Sequence, residues 1–216
     1  VHSFKAYPDV TSIKDNIDLA VLMVPRDLVL TTIDECHKKN INAVVVITAG
    51  FKETGSEGIK LEAELVKKIQ KYKMRLVGPN CMGLINTHPD VKLNCTFVQG
   101  TPIPGGIGFI SQSGALGAAI LKTVQQNDIG LAQFISIGNK ADISGNTILE
   151  YWWHNDDIKV ITLYLESFGN PRLFMELTRE ITKTKPVIAI KSARTSAGMK
   201  AASSHTGALA SSDAVV

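Results

Sequence analysis

GFISQSGALG, residues Gly108 to Gly117, runs from a short apolar segment through Ser-Gln-Ser-Gly into what reads as a helix. A strand that passes straight into a helix in this way is the building unit of a parallel α/β sheet. The same turn sets backbone N–H groups and the hydroxyls of Ser111 and Ser113 at a helix N-terminus, where unpaired donors and a partial positive charge favour an anion. Serine is also a favoured N-cap whatever the function. Anion site and ordinary cap both fit the turn taken alone.

The alternation continues on both sides. Downstream, a helix from Gly114 to Asn127 is followed by a strand Leu131 to Ile137, a helix Asn146 to His154, a strand Val160 to Leu165, a helix Pro171 to Thr182 and a strand Val187 to Lys191. Upstream, Leu19 to Val24 reads as a buried strand, and Pro25 supplies a first-turn residue for a helix to about Lys39. Ala43 to Thr48 is the next strand. Leu65, Val66, Ile69 and Tyr72 then fall at helical spacing among Glu64, Lys67, Lys68 and Lys71, ahead of a strand Arg75 to Val77. Such alternation predicts parallel sheets covered by helices on both faces. Gly78 to Gly106 is rich in Gly, Pro and Asn without a long periodic element, so two domains are expected, 1–100 and 101–216, joined there. No GxGxxG turn is present, so the first domain is expected to lack its N-terminal part, and the last helix is expected to be cut short.

With 216 residues and 44% hydrophobic content the chain can bury a sizeable core. A net charge of +3 is too mild for a main partner of nucleic acid, which needs a strong basic stripe. The charge is local: from Ile181 to Ser212 there is no acid, while Lys183, Lys185, Lys191, Arg194 and Lys200 are basic, a region that favours anions. Cys36, Cys81 and Cys95 show neither CxxC spacing nor an even count, so no disulfide framework or zinc site is expected and a reducing cytoplasm fits. The longest apolar runs, LAVLMV and AVVVI, fall far short of a membrane span.

Three further stretches carry chemistry. VGPNCMGLIN, Val77 to Asn86, lies at the carboxyl end of a strand, where open α/β sheets bind ligands, and Asn80 offers both a donor and an acceptor; a plain structural turn is the other reading. Cys81 beside it is a candidate nucleophile, although a buried inert thiol is the expected state. In YLESFGN, Tyr164 to Asn170, Glu166 follows an apolar strand, so its carboxylate should emerge at the sheet edge, where it can fix an imidazole tautomer or do nothing. In SHTGALASSDAV, Ser204 to Val215, His205 stands among Ser203, Ser204, Thr206 and Gly207, which is no core environment. The remaining histidines, His2, His37, His88 and His154, are expected to be surface residues.

The segments VPRDL, ITAGFKE, GPNCMG, SQSGALG, LESFGN and SHTGALA, in this order and spacing, resemble the NDP-forming acyl-CoA synthetase superfamily over essentially the whole chain. The likeness is closest to its ADP-forming acetate–CoA ligase branch, related to the α subunit of succinyl-CoA synthetase. It implies an incomplete Rossmann-like CoA-binding domain followed by a flavodoxin-like ligase domain. It also implies an acid–thiol ligase that interconverts acyl-CoA, ADP and phosphate with a carboxylate, CoA and ATP. Carried over by residue, His205 is the phosphorylated nucleophile and Glu166 its orienting carboxylate. Ser111, Gln112, Ser113, Gly114 and Gly207 hold the phosphoryl group or acyl phosphate, Asn80 lies at the acyl site, and Val24, Pro25, Ile47, Thr48 and Ala49 contact CoA. ADP or ATP, with Mg²⁺, would be held mainly by an ATP-grasp subunit or fused domain, in a cytoplasmic oligomer with no metal ligand set of this chain's own.

Two departures from the pattern bear on substrate. Succinate-using relatives carry Arg between the two serines, where Gln112 stands here, and a family tyrosine a few residues on is Ala118. Loss of a bidentate partner for a second carboxylate favours a monocarboxylate such as acetate. Two rival readings stand beside the ligase: a ligand-sensing, synthetase-like region of a protein lysine acetyltransferase, which generally lacks the working histidine, and a non-catalytic CoA-binding module, which would not need Glu166 and His205 together.

Overall fold

The computed structural model describes residues 4–192. The expectations placed on His2, His205, Gly207, Arg194 and Lys200 lie outside those residues. Two sheets organise the described residues, one of three strands and one of six.

The first sheet is parallel, in the order β1 (Ala20–Leu22), β2 (Ala43–Val46), β3 (Arg75–Val77). Because the strands follow one another in sequence, right-handed crossovers put both connecting helices on one face. These are α1 (Val29–Lys38) and α2 (Ser56–Lys71). Val29 and Ile33 of α1 and Leu65 and Ile69 of α2 share a core with Val44 and Val46. Lys68 ties the helices together by an ion pair to Asp34 at 2.7 Å, and the Tyr72 hydroxyl donates to the same carboxylate at 2.6 Å.

The second sheet runs β5 (Leu93–Asn94), β4 (Leu84–Asn86), β7 (Leu131–Ser136), β6 (Pro104–Ser111), β8 (Val160–Leu165), β9 (Val187–Lys191). Strands β6 to β9 are parallel, whereas β4 pairs antiparallel with β5 and β7. The stretch read as a connection therefore donates two short strands to the edge of this sheet. Alternation along β6 sorts the cores: Phe109 packs with Leu121 and Val124 of α3 (Gly114–Gln126), and Ile110 faces the opposite side. On that side α4 (Gly145–Trp153) and α5 (Pro171–Ile181) contribute Ile148, Leu149, Trp152, Phe174 and Ile181. Helices on both faces are thus a property of the second sheet.

The helix starts were written in the sequence. Ser113 caps α3, Ser144 and Thr147 form a reciprocal capping box on α4, and Asn170 caps α5 with Pro171 in its first turn. All three N-termini consequently sit at the carboxyl edge of the parallel strands. Gly117 matters to this geometry, since a Cβ there would stand 3.1 Å from the Phe134 ring and 3.4 Å from Ser111 Cβ. Lys183 and Lys185, from the acid-free stretch, serve the fold: Lys183 pairs with Glu180 at 2.6 Å, and Lys185 donates to the carbonyls of Trp152 and Asn155 behind α4.

Trp152 is fully buried, and its Nε1–H donates to Gln133 Oε1 at 2.7 Å in the middle of β7. Truncating it leaves both a large cavity and an unpaired buried amide. Trp152→Ala should cost about 3–5 kcal/mol, read as a lower denaturation midpoint in urea.

Candidate active site

In the second sheet the chain passes from β6 to β7 on one side and then crosses to β8 on the other. The strand order therefore reverses between β6 and β8, and in open α/β sheets ligands bind at the carboxyl ends of the strands at such a point. The two loops that meet there are Ser111–Gly114 and Glu166–Asn170.

Within the first loop, the Ser113 Oγ accepts the Leu116 N–H at 3.4 Å, and the buried Ser111 hydroxyl donates to the Ser113 carbonyl at 2.7 Å. The capping reading is therefore realised. It leaves the N–H groups of Gly114 and Ala115 at the first turn, which have no helical partner, at half-buried and exposed positions. Gln112 is buried, and its side-chain carbonyl accepts two backbone N–H groups from the other loop, Glu166 at 3.0 Å and Ser167 at 3.1 Å. Gln112 thus clamps the loop that carries Glu166.

Glu166 is only 8% exposed, and its Oε2 has no hydrogen-bond partner among the described residues. A buried carboxylate oxygen without a donor is costly, and it is ready to accept one. Ser167 beside it accepts the Lys140 ammonium on its carbonyl at 3.0 Å and on its hydroxyl at 2.6 Å. Burial pushes the Lys140 ammonium down to about 8, Lys52 adds repulsion, and attraction to Glu166 works the other way.

The positions implied for CoA sit together at the carboxyl ends of β1 and β2. The Thr48 hydroxyl donates to the Val24 carbonyl at 2.7 Å and the Ile47 N–H to the Leu22 carbonyl at 3.0 Å, while Pro25 and Ala49 are exposed. Asn80, after β3, donates its N–H to the Thr48 carbonyl at 3.0 Å and its side-chain amide to Asn139 Oδ1 at 3.3 Å. Cys81 is buried, its Sγ donates to the Val46 carbonyl, and burial pushes the thiol up to about 12, which suits an inert thiol and no nucleophile.

Between the two sheets lies a polar seam that sequence reasoning missed. The loop after β7 bonds back along the end of β3: Asn139 N–H to Pro79, Ala141 N–H to Gly78 and Ile143 N–H to Leu76, all to carbonyls within 2.9–3.1 Å. Asp142 accepts the Leu76 N–H and pairs with Arg75. The Asn139 side-chain amide donates to Glu53 at 2.6 Å and Glu62 at 2.7 Å, and Lys52 donates to the Asn139 backbone carbonyl. Burial opposes the charge on Glu53, but the donors from Asn139, Gly50 and Phe51 outweigh it and hold the carboxyl below its ordinary value. Gly138 lies at φ 51°, and a Cβ on it would stand 2.4 Å from the carbonyl oxygens of Pro79 and Asn80, so the approach needs glycine. The signal available was the turn-rich GNKAD after a buried strand.

Residues 104–216 match the family model described as the succinyl-CoA ligase like flavodoxin domain, and residues 1–87 match a CoA binding domain model. The chain belongs to the succinyl-CoA ligase-like flavodoxin domain family. It is 46% identical to the α subunit of ADP-forming acetate–CoA ligase II of Pyrococcus furiosus, over 98% of this chain and 46% of that one. It is 42% identical to the ADP-forming 4-hydroxybutyrate–CoA ligase of Nitrosopumilus maritimus, over 98% of this chain and 30% of that one. The dinucleotide-forming acetyl-coenzyme A synthetase 1 of Ca. Korarchaeum cryptofilum, solved with phosphate and ADP, superimposes with a TM-score of 0.91 at 40% identity, over 100% of this chain and 46% of that chain. This chain therefore spans less than half the length of these family members.

Gln112→Met, which keeps the side chain's length but removes the acceptor, strands the N–H groups of Glu166 and Ser167. Each unpaired buried group costs about 1–3 kcal/mol. A lower urea midpoint with an unchanged slope is expected.

Proposed function

We propose that this chain is the CoA-binding and phosphoryl-carrying part of an ADP-forming acid–thiol ligase, a cytoplasmic oligomer completed by an ATP-grasp subunit or domain that binds ADP. One observation carries the reading: the buried Glu166 carboxylate, with Oε2 unpartnered among the described residues, at the strand-order reversal beside the α3 N-terminus. Family membership and the named activities of the relatives support it.

In the proposed sequence, inorganic phosphate attacks the thioester carbonyl of acyl-CoA, and the C–S bond breaks to leave acyl phosphate and free CoA. The turn Ser111–Gly114, with Gln112 and Ser113 in it and Gly207 as a further contact, holds the phosphoryl group on N–H donors. His205 displaces the carboxylate and takes the phosphoryl group; phosphohistidine then passes it to ADP. Glu166 accepts the hydrogen bond of one imidazole nitrogen, so the other is the nucleophile. Two transfers through a covalent intermediate replace one encounter among three substrates. Val24, Pro25, Ile47, Thr48 and Ala49 would line CoA, and Asn80 the acyl end. Among the described residues no cluster of three or more His, Cys, Asp or Glu is arranged for a metal; Mg²⁺ would be bound with the nucleotide, on the partner.

At position 112 a guanidinium would offer a second carboxylate a bidentate partner. The amide that stands there is engaged with the backbone of Glu166 and Ser167, which supports a monocarboxylate substrate. Relatives named for acetate and for 4-hydroxybutyrate stand at similar identity.

With the full-length protein and its nucleotide-binding partner, labelled ATP and Mg²⁺ should give acid-labile, base-stable label that is absent in His205→Ala. No label in the parent protein would turn the reading toward a sensor or a bare binding module. In steady-state assays kcat/KM should be higher for acetate than for succinate; the reverse order refutes the monocarboxylate assignment.

A further inference from the structure

Lys140 belongs to no motif that the ligase reading uses. It stands in the loop after β7, at φ 58°, in the left-handed region that lysine enters only at a cost. Its ammonium nonetheless bonds to Ser167, which follows β8. Strand β6 lies between β7 and β8, so this contact joins the loops that follow the two strands flanking β6.

The Glu166–Ser167 turn is consequently gripped from two sides: Gln112 takes its N–H groups, and Lys140 takes the Ser167 carbonyl and hydroxyl. Two of the three ammonium protons are engaged there. The charged neighbours are Glu166, after β8, and Lys52, after β2. Lys52 is itself paired with Glu62 of α2 at 3.2 Å, and Asn139 joins Glu62 to Glu53. Among the described residues, the attractive charge acting on Lys140 is Glu166.

We propose that Lys140 is a positioning residue for phosphoryl transfer: its ammonium fixes the Glu166–Ser167 turn and stands as counter-charge to the Glu166 carboxylate that orients the imidazole. This rests on the ligase reading. A neutral side chain would remove one of the turn's two grips and a cation that attracts Glu166, and a carboxylate misplaced by about 1 Å can slow a reaction by about 10²-fold. Arginine keeps the charge at every accessible pH.

The test follows the rate of phosphohistidine formation in the full-length protein with its partner, from labelled ATP and Mg²⁺ at subsaturating ATP, as a function of pH. The parent rate should fall as pH rises through about 8, the value at which the Lys140 ammonium loses its proton. Lys140→Met should label about 10²-fold more slowly and lose that limb. Lys140→Arg should recover at least about a tenth of the parent rate and hold it above the pH where the parent declines. A parent-like rate and limb in Lys140→Met, or equal loss in the Met and Arg variants, overturns the role given to the charge. Absence of label from the parent protein refutes the ligase reading instead, so the two failures are separable.

Discussion

The two hydrogen bonds from the Glu166 and Ser167 N–H groups to the Gln112 side chain are the constraint on which the rest of the site depends. Strands β6 and β8 are held together by backbone pairing as far as Ser111 and Tyr164, and the Gln112 N–H extends the ladder by one more bond. Beyond that point one segment enters α3 and the other turns toward α5, and the backbone ladder between these two strands ends. A side-chain amide takes over where the ladder ends. Its acceptor is what allows a carboxylate to follow an apolar strand into a buried position, since the turn cannot swing out to hydrate Glu166 without giving up both bonds.

The second constraint is the polar seam. Asn139 uses its backbone N–H, its backbone carbonyl, both ends of its side-chain amide and two carboxylates to bind the first sheet to the loop after β7. Such a network is stable only when every member is satisfied, because a half-paired buried polar group costs more than an apolar one. Its structural consequence is direct. The backbone that carries Lys140 is anchored to the first sheet one residue earlier, at Asn139, and two residues later, at Asp142. The reach of Lys140 to Ser167 is thereby measured from a fixed point rather than from a free loop.

Most of the architecture was legible because its signals are local. Each helix of the second sheet starts at a capping residue visible in the sequence, and β8, with alternating burial, and β9 coincide with the apolar runs that announced them. The hairpin β4–β5 was not legible: strands of three and two residues are too short to carry a period, and their place is set by long-range pairing to β7. Glu166 could be placed at the end of a strand, but its burial depends on Gln112, a contact 54 positions away. Glu62 reads as an ordinary helix charge and is only 8% exposed, because Asn139 and Lys52 meet it from elsewhere in the chain. Lys140 was invisible for a topological reason. Only the order β7, β6, β8 puts its ammonium beside Ser167.

The sign of the charge at the reversal point separates chemistry from simple capture of an anion. A helix N-terminus with open N–H groups attracts phosphate, and a buried carboxylate beside it repels phosphate. A module built only to hold an anion would be stronger with an amide at position 166, as it is at 112. Glu166 earns its place only if something other than phosphate must meet it, namely a group that donates a hydrogen bond and gains positive character as it reacts. An imidazole that is attacking, or carrying, a phosphoryl group has those properties, and the attraction between Lys140 and Glu166 offsets part of the repulsion that an incoming phosphate would feel. A buried carboxylate at this helix terminus, with a cation attracted to it, supports the proposed transfer through a histidine over plain binding.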